Sequence, residues 1–539
     1  MQSFKNEFTY RSFLDSGKEE EFDSLFDNAV EKVKTEYFGK KYPIIINGEE
    51  IYLESELIEK SPINGLTLGI FQKGSKSEAV AAIESANNTF DEWSQVDYKK
   101  RVSIFRKAAK NISEKKFEFA AVLSFENGKS RYESMGEVDE AIDFINYYSN
   151  ELERNKGFIR KNIISGTQSK VESGFQGAPG KEEKIKIVMK PYGVFGIIAP
   201  FNFPVSISAG MSTGAMITGN TIVFKPSSTD NMTMLTGYLL YKAFSNAGLP
   251  PGVFNYLTGP GSEVGSELST NKLVRGIAFT GSRTVGMSMI TQSYSLGNQM
   301  VFVVEMGGKN PVIVSKYANI DSAVSGISSA AFGYSGQKCS AASRVYVHNE
   351  IKDEFIKKLL EKVSLLKIGD PIKKENFIGP LISGSSLIRY KESVDEVKKS
   401  GKLHFGGNIL DLGMGGNYVE PVVAEVSKDN ILFKNELFLP FLVITSYSEL
   451  EDALKEANNT PYGLTAGFYS ERRAEIKYFL KNIKAGVVYV NREISATTGA
   501  IVGFHTFVGW KGSGFTGKGT GSKFYLEQFM REQSQAIVE

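Results

Sequence analysis

GVFGIIA (193–199), TIVFK (221–225), VFNYL (253–257), RGIAFT (275–280) and VFVVE (301–305) are five short apolar runs at near-regular spacing. Helix-period stretches separate them. The capping cluster Ser227-Ser228-Thr229-Asp230 predicts one helix start, and Gly248-Leu249-Pro250 predicts its stop. Continuous apolar strands alternating with helices imply a parallel sheet covered on both faces, an α/β fold. A second alternation begins at 311 with PVIVS, a helix across 320–332, RVYVH and a helix from 350. Strands at 419–426, 441–447 and 486–490 continue it. Upstream, 1–40 reads as a charged, mostly helical arm, PIIINGEEI (43–51) as a strand with a Gly turn, and 76–118 and 133–152 as helices. The segment 156–183 loses periodicity and is rich in Gly, Ser and Lys, as expected of an exposed hairpin. The C-terminal KFYLEQFMREQSQAIVE (523–539) is expected to pair as a strand with 156–183 or with another subunit.

Composition narrows the class. The 539 residues suffice for several large cores, and 63 basic against 61 acidic residues leave no bias toward nucleic acid or a membrane surface. One cysteine excludes an intrachain disulfide, and three widely separated histidines form no metal motif, so no metal is expected. The N-terminus lacks an apolar signal region, and the charge-free stretch between Lys190 and Lys225 is broken by Pro200, Asn202 and Pro204. A soluble, cytoplasmic protein is the expectation.

Two glycine strings invite a nucleotide reading. GSGFTG (512–517) matches G-x-G-x-x-G, but Trp510-Lys511 ends no strand and no βαβ unit follows, so a mobile loop is expected. FTGSRTVG (279–286) follows an apolar strand and opens a helix: Gly281 would allow the turn, and Ser282 lies where helix-end amides hold phosphate.

APFNFP (199–204), VEMGGKNP (304–311), GQKCSAASR (336–344) and ELFLPF (436–441) stand in that order, with the cysteine 34 residues after the glutamate. In these strings the chain resembles the aldehyde dehydrogenases, from about residue 43 onward. The chemistry agrees. Hydride transfer from an aldehyde first needs a tetrahedral adduct, which a thiolate supplies, and Cys339 is the sole thiol. The adduct's oxyanion needs fixed donors, for which Asn202 and the Cys339 N–H are candidates, each worth ~3–4 kcal/mol. Hydrolysis of the resulting thioester needs a base; Glu305, ending an apolar strand, is the candidate, and no suitably placed histidine competes.

The resemblance further implies a nucleotide-binding domain (1–153 and 183–304), a catalytic domain (305–516) and an oligomerisation element (154–182 and 517–539), hence a homodimer or larger homo-oligomer. It implies Lys225 and Ser228 at the adenosine ribose, Gly281 and Ser282 at the pyrophosphate, and Glu436 and Phe438 at the nicotinamide end. Ser228 neither grips a 2′-hydroxyl strongly nor repels a 2′-phosphate, so NAD is expected with NADP left open. EAIDFINYYSNEL (140–152), GYSGQKCSAASRVYV (333–347) and TGAIVG (498–503) most resemble the 1-pyrroline-5-carboxylate dehydrogenase branch, which oxidises glutamate γ-semialdehyde in proline catabolism. That likeness implies Ser340, Gly499 and Ala500 at the substrate's α-carboxylate, with Phe203 and Phe507 flanking its chain. Where the branch reads Q-P-F-G-G, this chain has His505-Thr506-Phe507-Val508-Gly509, and Val508 is expected to narrow or reshape the pocket. Succinate or glutarate semialdehyde is the alternative substrate class. Acyl transfer to coenzyme A is disfavoured by Glu305, and a non-enzymatic structural role would not require the three residues together.

Overall fold

The computed structural model describes residues 4–164, 183–230, 232–494 and 501–538. The five apolar runs form parallel strands Val194–Ile198, Thr221–Lys225, Phe254–Tyr256, Val274–Gly281 and Val301–Met306. Numbered along the chain, they lie in the order 5-4-1-2-3. This is a Rossmann-type doubly wound sheet, whose switch point falls between Val194–Ile198 and Val274–Gly281. The hairpin of Ile44–Ile46 and Glu49–Ile51 extends the far edge antiparallel, turning through Asn47 and Gly48, both at positive φ.

The second sheet orders Gly401–Phe405, Val422–Val426, Phe441–Tyr447, Ala342–His348, Asn310–Val314, Thr465–Tyr469 and Val487–Val490, all parallel but the first. A third, antiparallel sheet places Glu183–Pro191 between Ile159–Ile164 and Met530–Val538. The C-terminal strand thus pairs with the return strand 183–191, just beyond the segment expected to receive it. A small sheet of Lys40–Tyr42, Thr67–Gln72 and Glu56–Lys60 has no counterpart in the sequence reading.

Three local expectations need correction. The helix after Thr221–Lys225 starts at Met234, not at the Ser227–Asp230 cluster. Its free first-turn amides are met by buried carboxyls from distant elements: Glu59 accepts from Met234 N (2.7 Å) and Leu235 N (3.2 Å), and Glu126 accepts from Thr236 N (3.0 Å). Gly281 does not adopt a left-handed turn; an added Cβ there would lie 2.5 Å from the Phe279 ring, so contact sets its identity. The 512–517 loop is docked: Ser513 is fully buried, its O accepts from Met306 N (2.8 Å), and its Oγ donates to Gly307 O (2.7 Å). The N-terminal arm is helical, as its sequence implies, and joins the core, because Glu19–Glu36 buries Phe22, Phe26, Ala29, Val30 and Val33 along one face.

Candidate active site

Cys339 stands on a loop between the helix Ile320–Phe332 and the strand Ala342–His348. The chain reaches it through three successive left-handed residues, Tyr334 (φ 51°), Ser335 (φ 53°) and Gly336 (φ 66°). Non-glycine residues there are disfavoured by ~1 kcal/mol or more each, so the surroundings must hold them. Tyr334 is buried, Ser335 Oγ donates to Gly379 O (2.8 Å), and a Cβ on Gly336 would lie 2.1 Å from Leu439 O. Asn310 Nδ2 donates to Cys339 O (2.7 Å) and Ala341 O (2.9 Å), while its Oδ1 accepts from Thr465 N (3.0 Å). From the turn after the strand Val194–Ile198 of the first sheet, buried Asn202 donates through Nδ2 to Gln337 O (3.2 Å), which brings its amide to the cysteine loop.

Glu305 ends the strand Val301–Met306 and faces the same pocket as Cys339. Burial holds its carboxyl well above the ordinary range; only the Gly509 N–H works the other way, and Oε1 has no hydrogen-bond partner. Burial first, then the Glu305 and Glu436 carboxylates, raise the Cys339 thiol. Thiol and carboxyl therefore each resist ionising, and burial favours the neutral thiol beside the neutral carboxyl.

Lys225, Ser228, Gly281 and Ser282 stand at or just beyond the C-terminal ends of strands of the first sheet. Lys225 ends its strand buried; among the described residues no carboxylate lies against it and it donates to Pro226 O (3.2 Å), and burial pulls its ammonium down to about 8. Such a group fits a ligand rich in hydroxyl oxygens. Ser228 is fully buried and donates to Pro226 O (2.9 Å). Ser282 caps the helix Arg283–Ser295, accepting from Val285 N (3.3 Å), so neighbouring first-turn amides face outward, as a pyrophosphate requires. Across the cleft Glu436 accepts from Gly308 N (2.8 Å); burial pushes it up to about 7. Phe438, at φ 59°, sets its ring edge-on to Phe201.

The family model for the aldehyde dehydrogenase family matches residues 53–534. The chain belongs to the aldehyde dehydrogenase family. It is 34% identical to a 1-pyrroline-5-carboxylate dehydrogenase of Geobacillus sp. (strain WCH70), over 95% of this chain and 96% of that protein. It is 35% identical to 1-pyrroline-5-carboxylate dehydrogenase 1 of Halalkalibacterium halodurans, over 94% and 95%. The crystal structure of a Thermus 1-pyrroline-5-carboxylate dehydrogenase with bound NAD superposes with a TM-score of 0.90 at 32% identity, covering 100% of this chain and 99% of that one.

In this aldehyde dehydrogenase, Phe203, Ser340 and Phe507 line one narrow pocket with Cys339 and Glu305. Gly499 and Ala500 lie outside the described residues. Val508 does not line the pocket; it turns toward Gly519, whose added Cβ would lie 3.1 Å from Val508 Cβ. Among the described residues, no acid, histidine or cysteine group could hold a metal, and no helix is long and apolar enough to cross a membrane.

Five contributors have no role legible in the sequence. Glu140 lines the pocket with a carboxyl pushed up to about 8 by burial. Lys129, fully buried, pairs with Glu137 and lies 3.5 Å from the Phe203 ring centroid and 4.9 Å from that of Tyr334. Glu137 also accepts from Val205 N (2.8 Å) and Ser206 N (3.2 Å), so one ion pair braces both the Asn202 turn and the Cys339 loop. Asn310 stands in VEMGGKNP with no role legible in the string, and 512–517, which reads as a loose loop, supplies Ser513 to the bed of Glu305. The i, i+3 spacing of Glu137 and Glu140 on a mostly buried helix was the one local signal for the pocket acids.

Proposed function

We propose that this aldehyde dehydrogenase oxidises L-glutamate γ-semialdehyde to L-glutamate with NAD, in proline catabolism. The observation that carries this reading is the pocket itself: thiol, base and an aromatic pair meet there beside Glu140. An amino-acid aldehyde matches that lining, its aliphatic chain between Phe203 and Phe507, its ammonium toward Glu140 and its carboxylate toward Ser340. Succinate and glutarate semialdehydes lack the ammonium that would draw Glu140 into its ionised form and pair with it, so they rank second. The relatives named above carry the same activity in their names.

The residues divide the chemistry. Cys339 gives up its proton to solvent, and the thiolate adds to the aldehyde carbon. Asn202 Nδ2 and the Cys339 N–H hold the resulting oxyanion. Lys225, Ser282 and Glu436 would hold NAD, which would supply the acceptor for the hydride that the adduct must lose. The oxyanion collapses to a thioester on Cys339. Glu305 then draws a proton from water, whose hydroxide attacks the thioester carbon, and the Cys339 thiolate departs as the carboxylic acid forms. A water-activating base is superfluous for transfer to coenzyme A, which is why hydrolysis is preferred.

We assign nucleotide binding to 1–153 and 183–304, catalysis to 305–516, and assembly into a dimer or larger homo-oligomer to 154–182 and 517–539. Among the described residues, Met530–Val538 and Ile159–Ile164 each leave one strand edge unpaired, which supports assembly. A reducing cytoplasm suits an enzyme with one thiol that must stay free. The test is reduced-cofactor absorbance with glutamate, succinate and glutarate semialdehydes, with and without coenzyme A. The highest kcat/KM with glutamate semialdehyde, independent of coenzyme A, is expected; strict dependence on coenzyme A or a preference for another semialdehyde overturns the assignment.

A further inference from the structure

The pocket at Cys339 continues into an acidic vestibule, the two sharing Glu140 and Phe203. One wall of that vestibule is Asn6, Glu7 and Phe8, from the far N-terminus. The arm is bonded there residue by residue. Glu7 N donates to Asp143 Oδ1 (2.9 Å), and Thr9 N and Oγ1 donate to the two oxygens of Asp139 (both 2.7 Å). Asp139 and Asp143 are both 4% exposed and lie on the helix Arg131–Arg154 that also carries Glu137 and Glu140.

Asn6 is the hinge of the arrangement. Its Nδ2 donates both to Asp143 Oδ2 (2.9 Å) and to Val502 O (3.1 Å). Val502 belongs to the tight turn closed by Ile501 N to His505 O (2.9 Å) and His505 N to Ile501 O (2.8 Å). That turn leads directly into Phe507, which pairs with Thr520 and walls the catalytic pocket. Phe4 packs edge-on against Tyr147 (5.1 Å) and lies beside Gly503, clamping the same turn from outside.

We propose that the N-terminal segment 4–9 is part of the substrate-binding apparatus: through Asn6 it fixes the 501–505 turn, and with it Phe507, relative to the Glu140 helix. Asn6 is a positioning residue. It acts on aldehydes long enough to fill the gap between Phe507 and Glu140, and leaves the thiol, the base and the oxyanion donors untouched. The proposal rests on the dehydrogenase reading but not on which long aldehyde is physiological.

The full-length Asn6→Ala variant tests it, with KM and kcat measured for propanal, hexanal and glutamate semialdehyde. Loss of the two donor contacts is expected to raise KM for both longer aldehydes about fivefold to tenfold. The expected kcat stays within twofold of the parent, and KM for propanal does not move. Asn6→Asp, which sets a carboxylate against Asp143 and the Val502 carbonyl, is expected to shift KM further in the same direction. An equal shift for propanal, a shift in kcat alone, or no shift overturns the proposal. A parent enzyme that oxidises hexanal but not glutamate semialdehyde overturns the substrate assignment instead, and the hexanal-to-propanal comparison still decides the role of the arm.

Discussion

Gly509→Ala places one methyl between the catalytic base and the segment that supports it. An added Cβ at 509 would lie 2.1 Å from Ser513 O and 2.7 Å from Glu305 Oε1. Carbon and oxygen do not approach closer than about 3 Å without strain, so the 509–513 segment must withdraw by about 1 Å. Three hydrogen bonds oppose that movement: Met306 N to Ser513 O (2.8 Å), Ser513 Oγ to Gly307 O (2.7 Å) and Gly463 N to Ser513 Oγ (3.0 Å). At about 1 kcal/mol each, stretching them costs roughly 2–3 kcal/mol of stability. If the carboxylate yields instead, a displacement near 1 Å costs about 10²-fold in the step it serves. The Cys339 loop is anchored separately, by Asn310 and Asn202, so acylation should survive. Stopped-flow absorbance of the reduced cofactor should therefore show a burst close to one per chain followed by a steady rate about 100-fold below the parent. A thermal melt alongside reads the stability loss. A steady rate within twofold of the parent, or loss of burst and steady rate together, would refute the idea that this segment sets the base for deacylation.

Other perturbations probe the same construction. Glu305→Gln should keep a burst but lose steady turnover; loss of the burst would mean that acylation too needs this carboxylate at its full basicity. Because burial raises the Glu305 carboxyl, its basic form accumulates as pH rises, so parent steady turnover should climb from neutral to alkaline pH and the variant's residual rate should be flat. Iodoacetamide should inactivate in proportion to one modified thiol per chain, faster with rising pH because the thiol is held above its ordinary range; activity after complete modification would contradict the mechanism. Burial pushes Glu59 up to about 7, and burial together with the neighbouring Glu59 carboxylate raises Glu126 further. Raised carboxyls favour folding while protonated and penalise it as they ionise, so this pair should lower the melting temperature as pH goes from 6 to 8. Glu126→Gln should flatten that slope, and an unchanged slope in the variant would exclude the pair as its source.

What could be read in the sequence follows from where each constraint originates. The strands of the first sheet are buried on both faces, and each therefore appears as an uninterrupted apolar run that needs no partner to be recognised. Lys40–Tyr42 and Glu56–Lys60 lie in a small sheet with half their residues exposed, and their Lys and Glu content hides the strand. The helix at Met234 shows the same limit in another form. A local capping cluster was present, yet the amides went to Glu59 and Glu126, which lie 175 and 110 residues away. Cys339, Asn202 and Glu305 were legible because the reaction demands those side chains in themselves. Their supports were not, because a support is defined by what it touches. Ser513 stands in a string that reads as a phosphate loop, yet it bonds to Met306 and Gly307, and just before that string glycine is required at 509 by an approach to Glu305 across more than 200 residues of chain. Local spacing cannot distinguish a glycine that bends around a phosphate from one that makes room for a carboxylate; the contact decides, and here it makes the most misleading string the bed of the base.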